Sequence, residues 1–215
     1  MKVWVALVCS ALALSSSVPA TACVNDSGEG HLRGPDGSLF ADEEQLIEQL
    51  KKAEDALRLS NYSMAAAELD VLKRRGEPTP RMRSRLARVS ALIAVRTGGQ
   101  WPLQRPKRAN NAEARKKALR WAVRTLRQRA TEVANDSVRQ SDLGEALATL
   151  PNHAKEARAL LERLATADLL TSAHAYQALA RLRERAGDAD GARNAHSRCL
   201  QLDSSQRACN ETPKA

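Results

Sequence analysis

EARALLERLATAD, residues 156–168, and GARNAHSRCLQLD, residues 191–203, are two versions of one phrase. Shifted by thirty-five residues, Ala157 falls on Ala192, Arg158 on Arg193, Arg163 on Arg198 and Asp168 on Asp203. Self-similarity at such a period is the signature of stacked helical hairpins. A single hairpin cannot bury its apolar face alone, so each needs a neighbour of the same shape. The fold class follows: all-α, built from antiparallel helix hairpins. Alternating β-branched runs, which would argue for sheets, are missing from the chain.

The residues before each copy extend the match. In the later one, Tyr176, Leu179 and Ala180 lead to Gly187 and Asp188, then to Ala192, His196, Leu200 and Leu202. In the earlier one, Leu143, Gly144 and Leu147 precede Ala157 and Leu161. Over residues 138–203 this pattern resembles the tetratricopeptide repeat. Its small residues let helices approach closely, and its turn Gly allows a left-handed backbone. Arg183 departs from it, standing where a large apolar residue is usual, and Ser204 stands where Pro is usual. The resemblance implies an α-solenoid of about four hairpins with a partner-binding groove lined by each hairpin's first helix. By position it puts His174, Gln177, Arg181 and Glu184 in that groove, with Ser141 and Glu145 from the preceding repeat.

Upstream, helical stripes continue. Asp42 opens a helix with Gln45 as capping-box partner, and Leu46, Leu50, Ala53 and Leu57 form its apolar face. A Ser60-Asn61 turn leads to a second helix carrying Ala65, Leu69 and Leu72, stopped by Gly76. Thr79 caps a third, with Pro80 first and Met82, Leu86, Val89 and Ile93 facing inward. TGGQWPLQRPKR, residues 97–108, interrupts the pattern as an insertion in the second hairpin. A long helix, about 109–134, follows with Leu119, Val123, Leu126, Ala130 and Val133 on one face. The repeat domain is therefore expected over 42–203, with a polar tail over 204–215. Aromatics are 3% of the chain, so Leu and Ala must do the packing.

The first residues read as a targeting segment. Lys2 supplies a positive start, Val3 to Leu14 run apolar and uncharged, and Ala20-Thr21-Ala22 ends a small-residue stretch. That order predicts a secretory signal over 1–22, with an apolar run too short for a bilayer anchor. Cys23 follows directly. A bacterial lipoprotein signal also ends small–small–Cys, so Cys23 is a lipidation candidate, while ordinary cleavage near Ala20 or Ala22 fits the same residues. Residues 23–41, with Gly28, Gly30, Gly34, Pro35 and Gly37, read as a flexible tether. In an oxidising compartment Cys199 and Cys209 are a disulfide candidate. Cys199 alternatively fits as a small buried residue of the repeat.

Charge is uneven. The formal net charge is +9, yet residues 24–72 carry eleven acidic side chains against four basic, and residues 73–129 eighteen basic against Glu77 and Glu113. Lys117, Arg120, Arg124 and Arg127 share one helix face, preceded on the loop by Arg105, Lys107 and Arg108. Such a face is either solvated or docks an anion. Nucleic acid is not expected: only Trp101 and Trp121 sit among these charges, and single-strand binders stack several aromatics. An acidic protein segment or an anionic envelope lipid suits the compartment better. His174, His196 and Cys199 have no recognised zinc spacing, and no metal or cofactor is expected. Motifs of zinc proteases, serine hydrolases, dithiol oxidoreductases and phosphate-binding loops are missing. The sequence thus points to an exported, non-catalytic interaction adaptor of a bacterial cell envelope, periplasmic or tethered to the outer membrane, with no transmembrane span in the mature chain. The alternatives are an assembly lipoprotein anchored through Cys23 and an anion-binding surface protein.

Overall fold

Helices begin where a polar side chain accepts backbone N–H groups that would otherwise lack partners. Thr79 Oγ1 accepts from Met82 at 3.4 Å, with Pro80 at the first helical position. Asn111 accepts from Glu113 and Ala114, Asp136 from Arg139, and Asp188 from Gly191. The computed structural model describes residues 39–75, 78–101, 111–203 and 205–210. Among them run α1 (Leu39–Arg58), α2 (Tyr62–Arg75), α3 (Pro80–Arg96), α4 (Ala112–Glu132), α5 (Ser137–Leu147), α6 (Ala154–Thr166), α7 (Ala173–Arg185), α8 (Ala189–Leu202) and α9 (Arg207–Asn210). No strand occurs among the described residues.

The apolar stripes meet in one core. Leu50, Ala53 and Leu57 of α1, Leu69 and Leu72 of α2, Val89 and Ile93 of α3, and Val123 and Leu126 of α4 are all buried. Each fully buried Leu stabilises the fold by roughly 1.5–3 kcal/mol. Successive helices from α2 to α8 pack on one another, and α5 also touches α3 and α7, a stacking consistent with a helical repeat. α5 and α6 approach closely at Gly144. A Cβ on Gly144 would lie 2.6 Å from Leu161 Cδ2, so only glycine allows that contact. Between α7 and α8 the chain reverses through Gly187 at φ 79°, a conformation L-residues rarely adopt. Arg183, which departs from the repeat pattern, spans this reversal: its Nη1 donates to the Gly191 carbonyl at 3.0 Å.

Several boundaries differ from expectation. α1 starts at Leu39, so Asp42 lies inside the helix and does not cap it. With no Gly or Pro after Gly37, nothing in the sequence stops the helix from reaching back that far. α4 is shorter than 109–134, because Asn111 caps it and it ends at Glu132; Val133 is then exposed, not part of the stripe. The segment read as a polar tail contains α9, with Ala208 and Cys209 buried. The Asp203 carboxylate organises it, accepting from the Ser205 hydroxyl at 2.6 Å and from the Ala208 N–H at 2.7 Å. Burial works against the Asp203 charge, but these donors outweigh it and hold its carboxyl below the ordinary value. A disulfide joins Cys199 of α8 to Cys209 of α9, with the Cα atoms 5.9 Å apart, and α9 packs on α7 and α8.

Candidate functional site

The site begins at the turn after α3. Gly98 and Gly99 take φ of 61° and 79°, which folds the chain back on itself. A Cβ on Gly99 would lie 2.4 Å from the Arg115 carbonyl oxygen, and Arg115 Nε donates to the Gly98 carbonyl at 3.0 Å. Glycine here lets the first turns of α4 press against the end of α3. Opposite them stand the end of α5, the length of α7, and α9.

These elements enclose a cleft of about 850 Å³. Val95, Arg96, Thr97, Gly98 and Gln100 line it from α3 and its turn, and Ala112, Arg115, Lys116 and Leu119 from α4. α5 and the turn after it supply Glu145, Ala148 and Thr149; α7 supplies His174, Gln177, Ala178, Arg181, Leu182 and Arg185. Tyr62 and Ala208 complete the wall. Of the groove residues implied by the repeat resemblance, His174, Gln177, Arg181 and Glu145 therefore share one cavity. Ser141 does not reach it. Its side chain is buried inside α5's packing, its hydroxyl without a hydrogen-bond partner among the described residues. Glu184 also lies outside, exposed on α7.

A buried polar layer braces the cleft. Arg96 grips Glu145 with two bonds, at 2.8 and 3.0 Å, with side chains only 8% and 5% exposed. Arg96 also donates to the Leu57 carbonyl at 3.3 Å, tying α1, α3 and α5 together. Beside it Arg88 makes a two-pronged contact with buried Asp142, at 2.6 and 3.2 Å. Burial raises the Asp142 carboxyl above its ordinary value, more than the facing Arg88 lowers it. His174 Nε2 lies 2.8 Å from the Tyr62 hydroxyl and 3.4 Å from the Ser60 hydroxyl. Burial, followed by the charge of Arg96, lowers the His174 pKa to about 2, so its imidazole is neutral at physiological pH. His196 Nδ1 donates to Gln177 Oε1 at 3.2 Å.

The outer basic face is a different place. Lys117, Arg120 and Arg124 are exposed on α4; Arg120 pairs with Glu113 at 2.6 Å, and half-buried Arg127 pairs with Glu156 at 2.6 Å. Arg105, Lys107, Arg108 and Cys23 lie outside the described residues. Sequence reading missed Arg115 and Lys116. It took α4 as one apolar stripe with a basic back, whereas the first turns of α4 face a third direction, set by the Gly98-Gly99 turn. Arg185 escaped notice because the resemblance put its neighbour Glu184 in the groove, whereas the last residue of α7, Arg185, is the one that lines the cleft. Trp101 and Trp121 pack against the core, and the Lys73 ammonium sits 4.7 Å over the Trp101 ring.

His174, His196 and Cys199 are not assembled as ligands: Cys199 is in the disulfide, and the two imidazoles are engaged with Tyr62 and Gln177. Among the described residues no group of three or more His, Cys, Asp or Glu side chains converges, and no helix is long and apolar enough to cross a membrane. In comparison with known proteins, the chain matches no family model, no curated protein and no solved structure.

Proposed function

We propose that this chain is an exported helical-repeat adaptor of the tetratricopeptide type, which holds a segment of a partner protein in the cell envelope of a bacterium and catalyses nothing. The observation that carries this reading is the cleft itself. It is lined from α3, α5 and α7, the first helices of successive hairpins on the repeat resemblance, and also from the first turns of α4, a second helix. Its size matches pockets that engulf compact ligands, hence a few residues of a partner and not a folded domain. Export rests on the Lys2 start, the uncharged run and the Ala20-Thr21-Ala22 ending.

A photo-crosslinking residue placed at Gln177 tests the reading, with Arg193 on exposed α8 as the control site. The adaptor predicts a discrete crosslinked partner from position 177 in envelope fractions and none from 193. Equal products from both positions, or none from 177, would reject it.

A further inference from the structure

We infer that the cleft selects an acidic peptide segment, anchored by Lys116 and Arg185 and drawn in by the charges of Arg115 and Arg181. This rests on the cleft being the partner site and adds what the partner must carry there. Five cationic side chains line the cleft, against Glu145 as the only carboxylate among the lining residues. Glu145 is committed to Arg96 through two hydrogen bonds. Lys116 and Arg185 are exposed and make no ion pair among the described residues.

Several arginines elsewhere are matched with acids, Arg85 with Glu54, Arg88 with Asp142, Arg158 with Glu162 and Arg198 with Asp168; Lys116 and Arg185 have no such pairing among the described residues. In the cleft, Arg181 and Arg185 stand one turn apart on α7, a spacing at which like charges repel. The N-terminus of α4, at Ala112, adds the positive end of a helix dipole to the same cavity. A site so biased lowers its own repulsion when a carboxylate enters, and it rejects a basic segment by the same field.

The walls favour a peptide over a lipid. Ala112, Ala148, Ala178 and Ala208 leave room for a backbone. Gln100, Thr149 and Gln177 offer side-chain hydrogen-bonding groups that peptide N–H and C=O groups can meet. The larger apolar lining, Val95, Leu119 and Leu182, can take the apolar side chains of such a segment.

Fluorescence anisotropy on the full chain tests this with a labelled octapeptide alternating Glu with Leu and Ala, its Lys counterpart, and phosphatidylglycerol vesicles. The Glu peptide is expected to bind, with affinity falling as salt rises, and the Lys peptide to bind at least about tenfold more weakly. The triple variant K116Q/R181Q/R185Q, checked for helicity by circular dichroism, should lose about tenfold or more of the Glu-peptide affinity. The outer-face variant K117Q/R124Q should stay within about twofold. No Glu-peptide binding, equal binding of both peptides, or an unchanged triple variant overturns the inference. Vesicle binding lost in the triple variant, without peptide binding, overturns it in favour of a lipid headgroup. Ala178→Trp separates the two levels: if it abolishes crosslinking from Gln177 while the triple variant does not, the cleft remains the partner site and its acidic preference falls.

Discussion

Arg96 and Glu145 show how a single pair of residues fixes the site. Both are almost fully buried, so each charge depends on the other. Removing one partner leaves an uncompensated charge, and Glu145→Ala should destabilise the fold by about 3–5 kcal/mol in urea unfolding. The double change R96M/E145L should recover most of that loss, because an apolar pair of similar volume carries no desolvation cost. A double variant as unstable as the single would show that the pair matters for shape and not for charge. His174 supplies a pH test. Its folded pKa, about 2, lies below the ordinary histidine value, so the unfolded chain takes a proton that the folded chain refuses. Stability is therefore complete above the unfolded pKa, about 6.5, and falls by up to about 1.4 kcal/mol per pH unit below it. Ser60, Tyr62, Arg96, Arg181 and Asp203 surround the ring. Asp142, with its raised pKa, acts in the opposite sense in mild acid. The difference between wild type and His174→Gln isolates the histidine: between pH 7 and 5 the variant should lose less stability. Parallel curves would contradict a buried neutral imidazole.

Elements were more legible in the sequence than residues. The copies 156–168 and 191–203 placed α6 and α8 because their Ala and Leu spacing is set by packing, and packing leaves a period. The Thr79-Pro80 start was equally plain, since capping is local chemistry. α9 was not visible. Four residues of mixed polarity have no period, and what folds them is a disulfide and the Asp203 carboxylate, both tertiary. The cleft's cations were hidden for a related reason: Arg115 and Arg185 meet only after the Gly98-Gly99 turn has folded α4 back. Two variants probe this level. Gly144→Ala forces a methyl to within 2.6 Å of Leu161 Cδ2, and overpacking of this kind should cost about 1–3 kcal/mol. Leu161→Val in the same chain should return part of it; no change from Gly144→Ala would contradict the close packing of α5 on α6. Reducing the Cys199–Cys209 bond opens a ten-residue loop. On a loop-entropy account the C199S/C209S chain should be less stable by about 2–3 kcal/mol. Because Ala208 lines the cleft, the same variant should also bind the acidic octapeptide more weakly. Equal stability and equal binding would make α9 an ornament.

At the scale of the whole molecule, charge and compartment meet. Acidic residues concentrate before residue 73 and basic ones just after it. Among the described residues much of that basic excess is neutralised by ion pairs or turned to solvent, and the portion directed into the cleft is what the proposed acidic segment would meet. Export predicts that N-terminal sequencing of the native protein begins at or near Cys23; retention of Met1 on a cytosolic protein would contradict it. If Cys23 is acylated, palmitate labelling should vanish in Cys23→Ser, whereas unlabelled wild type would leave a free periplasmic adaptor. The central claim concerns the cleft, and amide chemical-shift mapping of the full chain with the Glu octapeptide tests it most directly. The account predicts perturbed amides at Gly98, Arg115, Lys116, Gln177, Arg181 and Arg185. Perturbations confined to the outer face of α4 at Lys117, Arg120, Arg124 and Arg127, with the cleft silent, would contradict it.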